Sequence, residues 1–182
     1  MRVPLLLLVV PLALACSAEP QPLAMSPQAR SREWRLLEQQ IRDAFPDVPI
    51  TTVDELASRM ERGDPAPLLL DARAEEEFAV SHLDGARRAQ TLDEALALLP
   101  GESRAREIVV YCSVGYRSAH LARDLQQAGY TNVANLEGSI FAWANAGRPV
   151  YRGGEPVREV HPYDEEWGRF LERSRWSKLP GE

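Results

Sequence analysis

The residues best suited to chemistry lie in one short stretch, residues 112–118, which reads CSVGYRS. Cys112 supplies a thiol, and a thiol that ionises to thiolate is a reactive nucleophile. Gly115 accepts any φ, so the backbone N–H groups around it can curl inward as an anion-binding nest. Arg117 adds a fixed positive charge at the rim of this loop. These residue types at this spacing indicate an activated cysteine in a cradle that holds anions.

A strand and a helix must position this stretch. The apolar run from Ile108 to Tyr111 predicts a strand that stops at Cys112, and a helical pattern begins at Ser118. In open parallel sheets, ligands bind at the carboxyl ends of the strands. A helix that begins just after the loop turns its unpaired N–H groups and its positive dipole end toward the same place, which favours the thiolate.

Strands and helices alternate along residues 50–150. Short apolar runs bounded by turn residues predict strands, and apolar residues at helical spacing predict helices. The predicted strands are 50–52, 68–70, 86–89, 107–112 and 132–136, and the predicted helices are 53–62, 74–80, 92–99, 118–128 and 139–146. This alternation predicts one α/β domain with a mainly parallel sheet.

Residues 1–15 have the pattern of a signal peptide and are left out of the fold. Arg2 is followed by an uninterrupted apolar run that is too short to span a bilayer. Ala13, Leu14 and Ala15 fit the small-x-small cleavage pattern, and Cys16 follows directly, which resembles the bacterial lipoprotein signal. The resemblance implies lipidation of Cys16, export, and a periplasmic domain anchored to a membrane of the bacterial cell envelope. The alternative is plain secretion, with Cys16 incidental.

Three further segments flank the domain. Residues 16–25 are polar and contain proline, as in a tether, and residues 26–49 predict an N-terminal helix with one apolar stripe. The C-terminal tail, residues 151–182, begins as a loop and then places apolar residues at helical spacing: Tyr163, Trp167, Phe170 and Leu171. This spacing predicts an amphipathic aromatic helix that packs on its own domain. The alternative is a helix that contacts a partner or a membrane.

Composition and charge narrow the function classes. The chain has 182 residues, of which 45% are hydrophobic and 26% charged, which suits one globular domain with extensions. A formal net charge of −6 and the lack of a basic stripe argue against nucleic acid as a partner. The histidines are scattered and no Cys-x-x-Cys occurs, so we expect no metal site and no cofactor. If Cys16 carries lipid, Cys112 is the one free thiol, and its chemistry must finish on an external partner.

Three segments of the chain, in order, resemble the signatures of rhodanese domains. They are Asp71 to Ala86 (DARAEEEFAVSHLDGA), Cys112 to Ser118, and Leu136 to Trp143 (LEGSIFAW) with Gly147 to Val150 (GRPV). The resemblance covers about residues 50–150 and has small departures at Ser81, Asp84 and Ser139. It implies a sheet of about five parallel strands with helices on both faces.

The resemblance also implies a reaction. The Cys112 thiolate would attack the sulfane sulfur of a small anionic donor such as thiosulfate and become a persulfide, in covalent catalysis with two displacement steps. Cyanide, a thiol or a protein cysteine would then accept the sulfur. Arg117 would hold the sulfonate end of the donor, and the remaining loop residues would line the substrate site: Ser113, Val114, Gly115, Tyr116 and Ser118. Asp71 and Arg73 are expected to brace the strand end.

Two other functions are compared with this one. Cysteine-dependent phosphatases wrap phosphate with Cys-x₅-Arg, whereas four residues separate Cys112 from Arg117 here, and the smaller ring suits a single extra sulfur. The other alternative is a rhodanese-like binding or redox-sensing module of the cell envelope, in which Cys112 is ancillary or is oxidised reversibly. His82 and His120 are expected at the surface or in packing contacts, not in proton transfer.

Overall fold

A parallel sheet of five strands forms the centre of the part of the chain that the computed structural model describes, residues 27–178. The strands are β1 (Ile50–Thr51), β2 (Leu68–Asp71), β3 (Arg87–Arg88), β4 (Ile108–Tyr111) and β5 (Val133–Leu136). Their order is β1-β5-β4-β2-β3, so β4 is central and both of its neighbours run parallel to it. The predicted signal peptide, Cys16 and the tether lie outside the described residues.

Helices alternate with these strands and cover both faces of the sheet, which confirms the predicted fold class. They are α1 (Pro27–Ala44), α2 (Val53–Arg62), α3 (Glu75–Val80), α4 (Leu92–Ala97), α5 (Tyr116–Gln127) and α6 (Ser139–Asn145). The helix after the cysteine loop begins at Tyr116, earlier than the predicted Ser118. Gly115 has a φ of 114° and is the residue that precedes the first helical turn of α5.

The side chains of β4 divide between two cores. Ile108, Val110 and, just beyond the strand, Cys112 belong to the core that contains residues of α1, α4 and α5. Val109 and Tyr111 belong to the core formed with α2, α6 and the C-terminal tail. This alternation is the period of two expected of a strand, and burial on both faces explains why the strand is continuously apolar. Cys112 therefore leaves the sheet on the side where α5 begins.

The start of the C-terminal tail differs from the predicted loop. It forms an antiparallel hairpin from β6 (Val150–Arg152) and β7 (Glu155–Val157). Gly153 and Gly154 have φ values of 59° and 85° and make the two-residue turn that twisted hairpins favour. The Gly-Gly pair was therefore a hairpin signal that the loop prediction overlooked.

The predicted aromatic helix of the tail is much shorter than its spacing suggested. The tail contains only α7 (Glu165–Gly168) and a 3₁₀ turn (Arg173–Arg175) beyond the hairpin, within the described residues. Tyr163 has a φ of 71°, which is incompatible with a right-handed helix, and Asp164 then caps α7 by accepting the N–H of Trp167. Phe170 and Leu171 are nonetheless buried in the second core.

The two flanking segments meet at the edge of this core. The rings of Trp34 in α1 and Phe170 in the tail lie with their centroids 5.3 Å apart. Asn145 of α6 binds the tail twice: its side chain donates to the Phe170 carbonyl at 2.8 Å and accepts the Glu172 N–H at 2.9 Å. Among the described residues, no helix has the length and apolar character needed to cross a bilayer.

Candidate active site

The cysteine loop curls around the thiol of Cys112. Cys112 follows directly after β4, its side chain is buried, and the Gly115 N–H donates to its Sγ over 3.2 Å. The Ser118 hydroxyl, in the first turn of α5, lies 3.5 Å from the same sulfur. A residue with a side chain would be strained at the φ of Gly115, so glycine permits the turn that aims this N–H at the thiol. The loop thus presents hydrogen-bond donors to the sulfur.

The N-terminus of α6 fixes the backbone of this loop from behind. The Ile140 N–H donates to the Cys112 carbonyl at 3.2 Å, and the Phe141 N–H donates to the Ser113 carbonyl at 3.1 Å. The Ser139 hydroxyl accepts the N–H of Cys112 at 3.1 Å. Because a trans peptide points its C=O and the following N–H in opposite directions, these bonds turn the next two N–H groups away from α6.

Asn135 on β5 holds the other side of the loop, and sequence reasoning missed it. Its Nδ2 donates to the Gly115 carbonyl at 3.1 Å, and its Oδ1 accepts the Ser118 hydroxyl at 2.7 Å. Asn135 is buried. A polar side chain inside an otherwise apolar strand was the available signal, since buried polar groups require partners. Asn135 of β5 therefore helps to hold Gly115 and Ser118 in position beside the thiol.

Arg117 lies at the pocket but is engaged by Glu77 of α3, a residue that sequence reasoning also missed. Its two terminal nitrogens donate to the two carboxylate oxygens of Glu77 at 2.7 and 2.8 Å. Glu77 is 2% exposed and also accepts the hydroxyl of Ser113 at 3.0 Å and the N–H of Ala74 at 3.1 Å. Its signal was the Glu-Phe pair within the first rhodanese-like signature. The guanidinium is thus held rigidly beside the thiol by a buried counter-ion.

The charges around Cys112 favour its thiolate. Burial acts to raise the pKa of the Cys112 thiol, but the positive charge of Arg117, the Ser118 hydroxyl and N–H, and the Gly115 N–H outweigh it, so the pKa lies below the ordinary thiol value. Burial likewise acts to raise the pKa of Glu77, and the hydrogen bonds and charge of Arg117 reverse this and lower it. Both shifts favour the ionised forms, the Cys112 thiolate and the Glu77 carboxylate.

A pocket of about 150 Å³ opens above the sulfur. Its lining residues come from the loop, from the start of α5 and from the tail: Cys112, Ser113, Val114, Tyr116, Arg117, Tyr163 and Trp167. Tyr163 and Trp167 were predicted to pack on the domain, and no role at the site was expected of them. Gly115 and Ser118 do not line the pocket, but each lies within 3.5 Å of the Cys112 sulfur. The structure therefore brings the predicted loop residues together around Cys112.

Asp71 and Arg73 form a second ion pair that lies outside the pocket lining. Both side chains are fully buried, and Arg73 donates from Nη2 to the Asp71 carboxylate at 2.7 Å and to the Ser81 carbonyl at 2.6 Å. The pair ties the end of β2 to the segment after α3. The bracing role expected of Asp71 and Arg73 stays a prediction.

His82 and His120, for which no part in proton transfer was expected, make packing contacts. The His82 ring stacks on Phe78 with centroids 4.2 Å apart, and the His120 ring lies 4.6 Å from Phe45. His161, which received no prediction, is buried and accepts the Tyr163 N–H on Nδ1 at 3.0 Å. Within residues 27–178, no group of three or more His, Cys, Asp or Glu side chains is arranged to hold a metal ion.

Comparison with known proteins identifies the fold family. The rhodanese-like domain model matches residues 52–146, which is just over half of the chain. The chain belongs to the rhodanese-like domain family. This rhodanese-like protein is 47% identical over 45 residues to a sulfurtransferase of Allochromatium vinosum, a match that covers 25% of this chain and 42% of that one.

A second relative and a solved structure are also similar to this chain. The probable adenylyltransferase/sulfurtransferase MoeZ of Mycobacterium tuberculosis is 35% identical over 85 residues, which cover 44% of this chain and 21% of that protein. This rhodanese-like protein thus spans less than half the length of either curated relative. The rhodanese-like domain of an Anabaena protein has a TM-score of 0.52 and 27% identity, with coverage of 57% of this chain and 79% of that one.

Proposed function

We propose that this protein is a sulfurtransferase that carries sulfane sulfur as a persulfide on Cys112. The observation that carries the proposal is the position of Cys112 Sγ at the pocket, with the Gly115 N–H donating to it over 3.2 Å. Donors placed around a thiolate also suit the persulfide anion that replaces it. Two relatives that are named sulfurtransferases support the same class of reaction.

The reaction has two displacements. The Cys112 thiolate attacks the outer sulfur of thiosulfate; a new S–S bond forms, the original S–S bond breaks, and sulfite leaves with the bonding electron pair. The protein then carries Cys–S–S⁻. Cyanide, a small thiolate or a protein cysteine attacks the outer sulfur of this persulfide and removes it, which restores the Cys112 thiolate. Charge is conserved in each step, and catalysis is covalent with two half-reactions.

Each loop residue has a task in this scheme. The N–H groups of Gly115 and Ser118 hold the sulfur anion, and the nearby charge of Arg117 acts to lower the pKa of the Cys112 thiol, which favours the reactive thiolate. Ser113 links the loop to Glu77, which orients the guanidinium of Arg117. Val114 and Tyr116 line the walls of the pocket.

The test is to incubate the purified protein with thiosulfate, record its intact mass, and then add cyanide. We expect the mass to rise by one sulfur atom, the sulfur to be lost when cyanide is added, and thiocyanate to form. Cys112→Ser is expected to abolish both signals because the nucleophile is gone. If the wild-type protein forms no thiocyanate and gains no sulfur with any donor, the sulfurtransferase proposal is wrong and a rhodanese-like binding module is the better description.

We further propose that the protein is exported and lipid-anchored through Cys16, on the strength of the apolar run at 3–15 and the small residues before Cys16. The same mass measurement, made on protein purified from host membranes, would then start at Cys16 and include an acyl modification. A mass that begins at Met1, or a processed chain without lipid, would contradict the anchor and leave the sulfur chemistry untouched.

A further inference from the structure

The pocket above Cys112 has an aromatic wall, formed by Tyr116, Tyr163 and Trp167. Tyr163 and Trp167 come from the C-terminal tail, beyond the residues 52–146 that match the family. Tyr116 and Tyr163 are 49% and 47% exposed. Large rings exposed together beside a reactive group form an apolar surface that a ligand can cover. The tail thus adds to the site a wall that the matched domain alone does not contain.

The tail part of this aromatic wall is held in place by specific contacts. Tyr163 has a φ of 71°, a conformation that costs free energy for a residue with a large side chain. Its N–H donates to Nδ1 of the buried His161 at 3.0 Å. The N–H of Trp167 donates to Asp164 at 2.7 Å. A strained backbone that is held by a hydrogen bond to a buried histidine and by a helix cap indicates a preorganised surface.

The positive charge of Arg117, which lies beside the aromatic wall, is balanced by the carboxylate of Glu77. Both terminal nitrogens of Arg117 donate to Glu77, and the ring of Tyr163 lies 5.0 Å from the guanidinium carbon. The Glu77–Arg117 pair has no net charge, so a donor with two negative charges gains less from Arg117 than it would from an unpaired arginine. A donor with one negative charge and an apolar group fits both the charge and the wall.

We propose that the physiological sulfur donor carries its sulfane sulfur on an organic group, and that this group lies against the aromatic wall. This inference rests on the proposed sulfurtransferase function. The donor class is a thiosulfonate-like monoanion, R–SO₂–S⁻, with an apolar or aromatic R. The Cys112 thiolate takes the terminal sulfur as the new S–S bond forms, and the sulfinate R–SO₂⁻ leaves with the electron pair of the broken bond. Tyr163 and Trp167 then determine which R is accepted.

The first test compares three donors on the wild-type protein, with cyanide as the fixed acceptor and thiocyanate as the product. Methanethiosulfonate and benzenethiosulfonate carry the same charge and differ only in the organic group, whereas thiosulfate carries a second charge. We expect kcat/KM for benzenethiosulfonate to exceed that for methanethiosulfonate by at least tenfold, and the value for thiosulfate to be the lowest of the three. Equal values for the two thiosulfonates, or a preference for thiosulfate, would overturn the proposal.

The second test is a matched pair of tail variants. Trp167→Ala removes an indole that lines the pocket, and Trp176→Ala removes one that packs in the same tail against Gly168 outside the pocket lining. We expect Trp167→Ala to lower the benzenethiosulfonate-to-methanethiosulfonate ratio of kcat/KM at least fivefold, Trp167→Phe to restore part of it, and Trp176→Ala to keep the wild-type ratio. If both alanine variants lower the ratio equally, the effect reflects a loosened tail and the proposal fails.

The two proposals fail in distinguishable ways. If no donor adds sulfur to Cys112, the sulfurtransferase function is wrong, and the question of donor class disappears with it. If thiosulfate adds sulfur as readily as benzenethiosulfonate, the sulfurtransferase function stands and only the organic donor is wrong. The mass of the protein after each donor separates these outcomes before any steady-state rate is measured.

Discussion

At the scale of single residues, two carboxylate–arginine ion pairs have different roles. The Asp71–Arg73 pair is fully buried and does not line the pocket, whereas the Glu77–Arg117 pair borders the thiol with Arg117 partly exposed. Because the pKa of Glu77 is lowered in the folded protein, the stabilisation from its ionised form is complete above the usual glutamate pKa of about 4.3 and is lost as pH falls through the lower folded value. The pair is therefore intact at neutral pH.

Replacing Glu77 is expected to change the thiol itself. In Glu77→Gln, Arg117 keeps a polar neighbour but loses its counter-charge, so its positive charge acts on Cys112 without compensation. We expect the midpoint of iodoacetamide alkylation of Cys112 to move to lower pH by roughly one unit. We also expect a loss of about 2 kcal/mol in the free energy of unfolding, since a largely buried pair is broken.

The neighbouring carboxylate provides the control for this prediction. Glu76 is exposed and belongs to the same helix, α3. Glu76→Gln is expected to leave both the alkylation midpoint and the free energy of unfolding close to the wild-type values. An alkylation midpoint in Glu77→Gln that stays at the wild-type pH, or rises, would show that Glu77 does not restrain the effect of Arg117 on the thiol.

At the scale of elements, the cysteine loop depends on a junction between β5 and α6. Gly138 and Ser139 both have positive φ, and the bonds from the α6 N-terminus to the loop carbonyls begin immediately after them. Ser139 stands where the rhodanese family pattern has glycine, and its hydroxyl accepts the N–H of Cys112. The departure from the family pattern thus adds a contact to the loop. The start of α6 therefore holds the backbone of the cysteine loop by hydrogen bonds to its carbonyls.

Replacing Gly138, at the junction of β5 and α6, is expected to destabilise the protein more than the same change at Gly85. In Gly138→Ala, the new Cβ would lie 2.5 Å from the Ala142 Cβ and 3.0 Å from the Trp34 ring, at a φ of 65°. Gly85→Ala has nearly the same φ, 68°, and meets nothing within 4 Å. Backbone strain alone costs about 1 kcal/mol, and overpacking adds about 2 kcal/mol. Urea unfolding should therefore show a loss of about 3 kcal/mol for Gly138→Ala and about 1 kcal/mol for Gly85→Ala; equal losses would contradict the clash.

At the scale of the whole molecule, the segments before and after the matched domain contact each other at the edge of the second core. Trp34 of α1 contacts Phe170 of the tail, and the tail in turn supplies Tyr163 and Trp167 to the pocket. α1 also reaches the cysteine loop: Phe45, just beyond its end, lies 5.6 Å from the ring of Tyr116. The flanks are therefore part of the folded unit that shapes the site.

Phe170 tests whether the tail unfolds together with the domain. Phe170 is 3% exposed, so Phe170→Ala leaves a cavity in the second core and is expected to lower the free energy of unfolding by about 3 kcal/mol. Leu36→Ala removes a side chain that is 54% exposed and should change it by less than about 0.5 kcal/mol. A single denaturation transition at lower denaturant is the expected result. A wild-type transition in Phe170→Ala would show that the tail is not part of the cooperative unit.

Local sequence patterns were enough to predict the parallel sheet and the position of the thiol at the end of a strand. The apolar run before Cys112, the glycine in the loop and the alternation of strands with helices all depend on residues that are close in the chain, where periodicity and turn chemistry act directly. The parallel class, the strand before Cys112 and the placement of Cys112 at its end followed from these patterns. The hairpin at residues 150–157 carried a comparable local signal in Gly153-Gly154.

Tertiary structure alone decided which side chains from distant parts of the chain support and line the thiol site. Glu77 pairs with Arg117 across 40 positions of sequence, Asn135 bonds the loop across 20, and the tail brings Tyr163 and Trp167 to the pocket from beyond the matched domain. Residue type alone does not separate Glu77 from Glu75 and Glu76, since all three are acids in the first turn of α3, and only the Glu-Phe pair of the first signature marks Glu77. Which of them is buried depends on how that helix packs on the sheet, because desolvation and pairing arise only when distant elements meet.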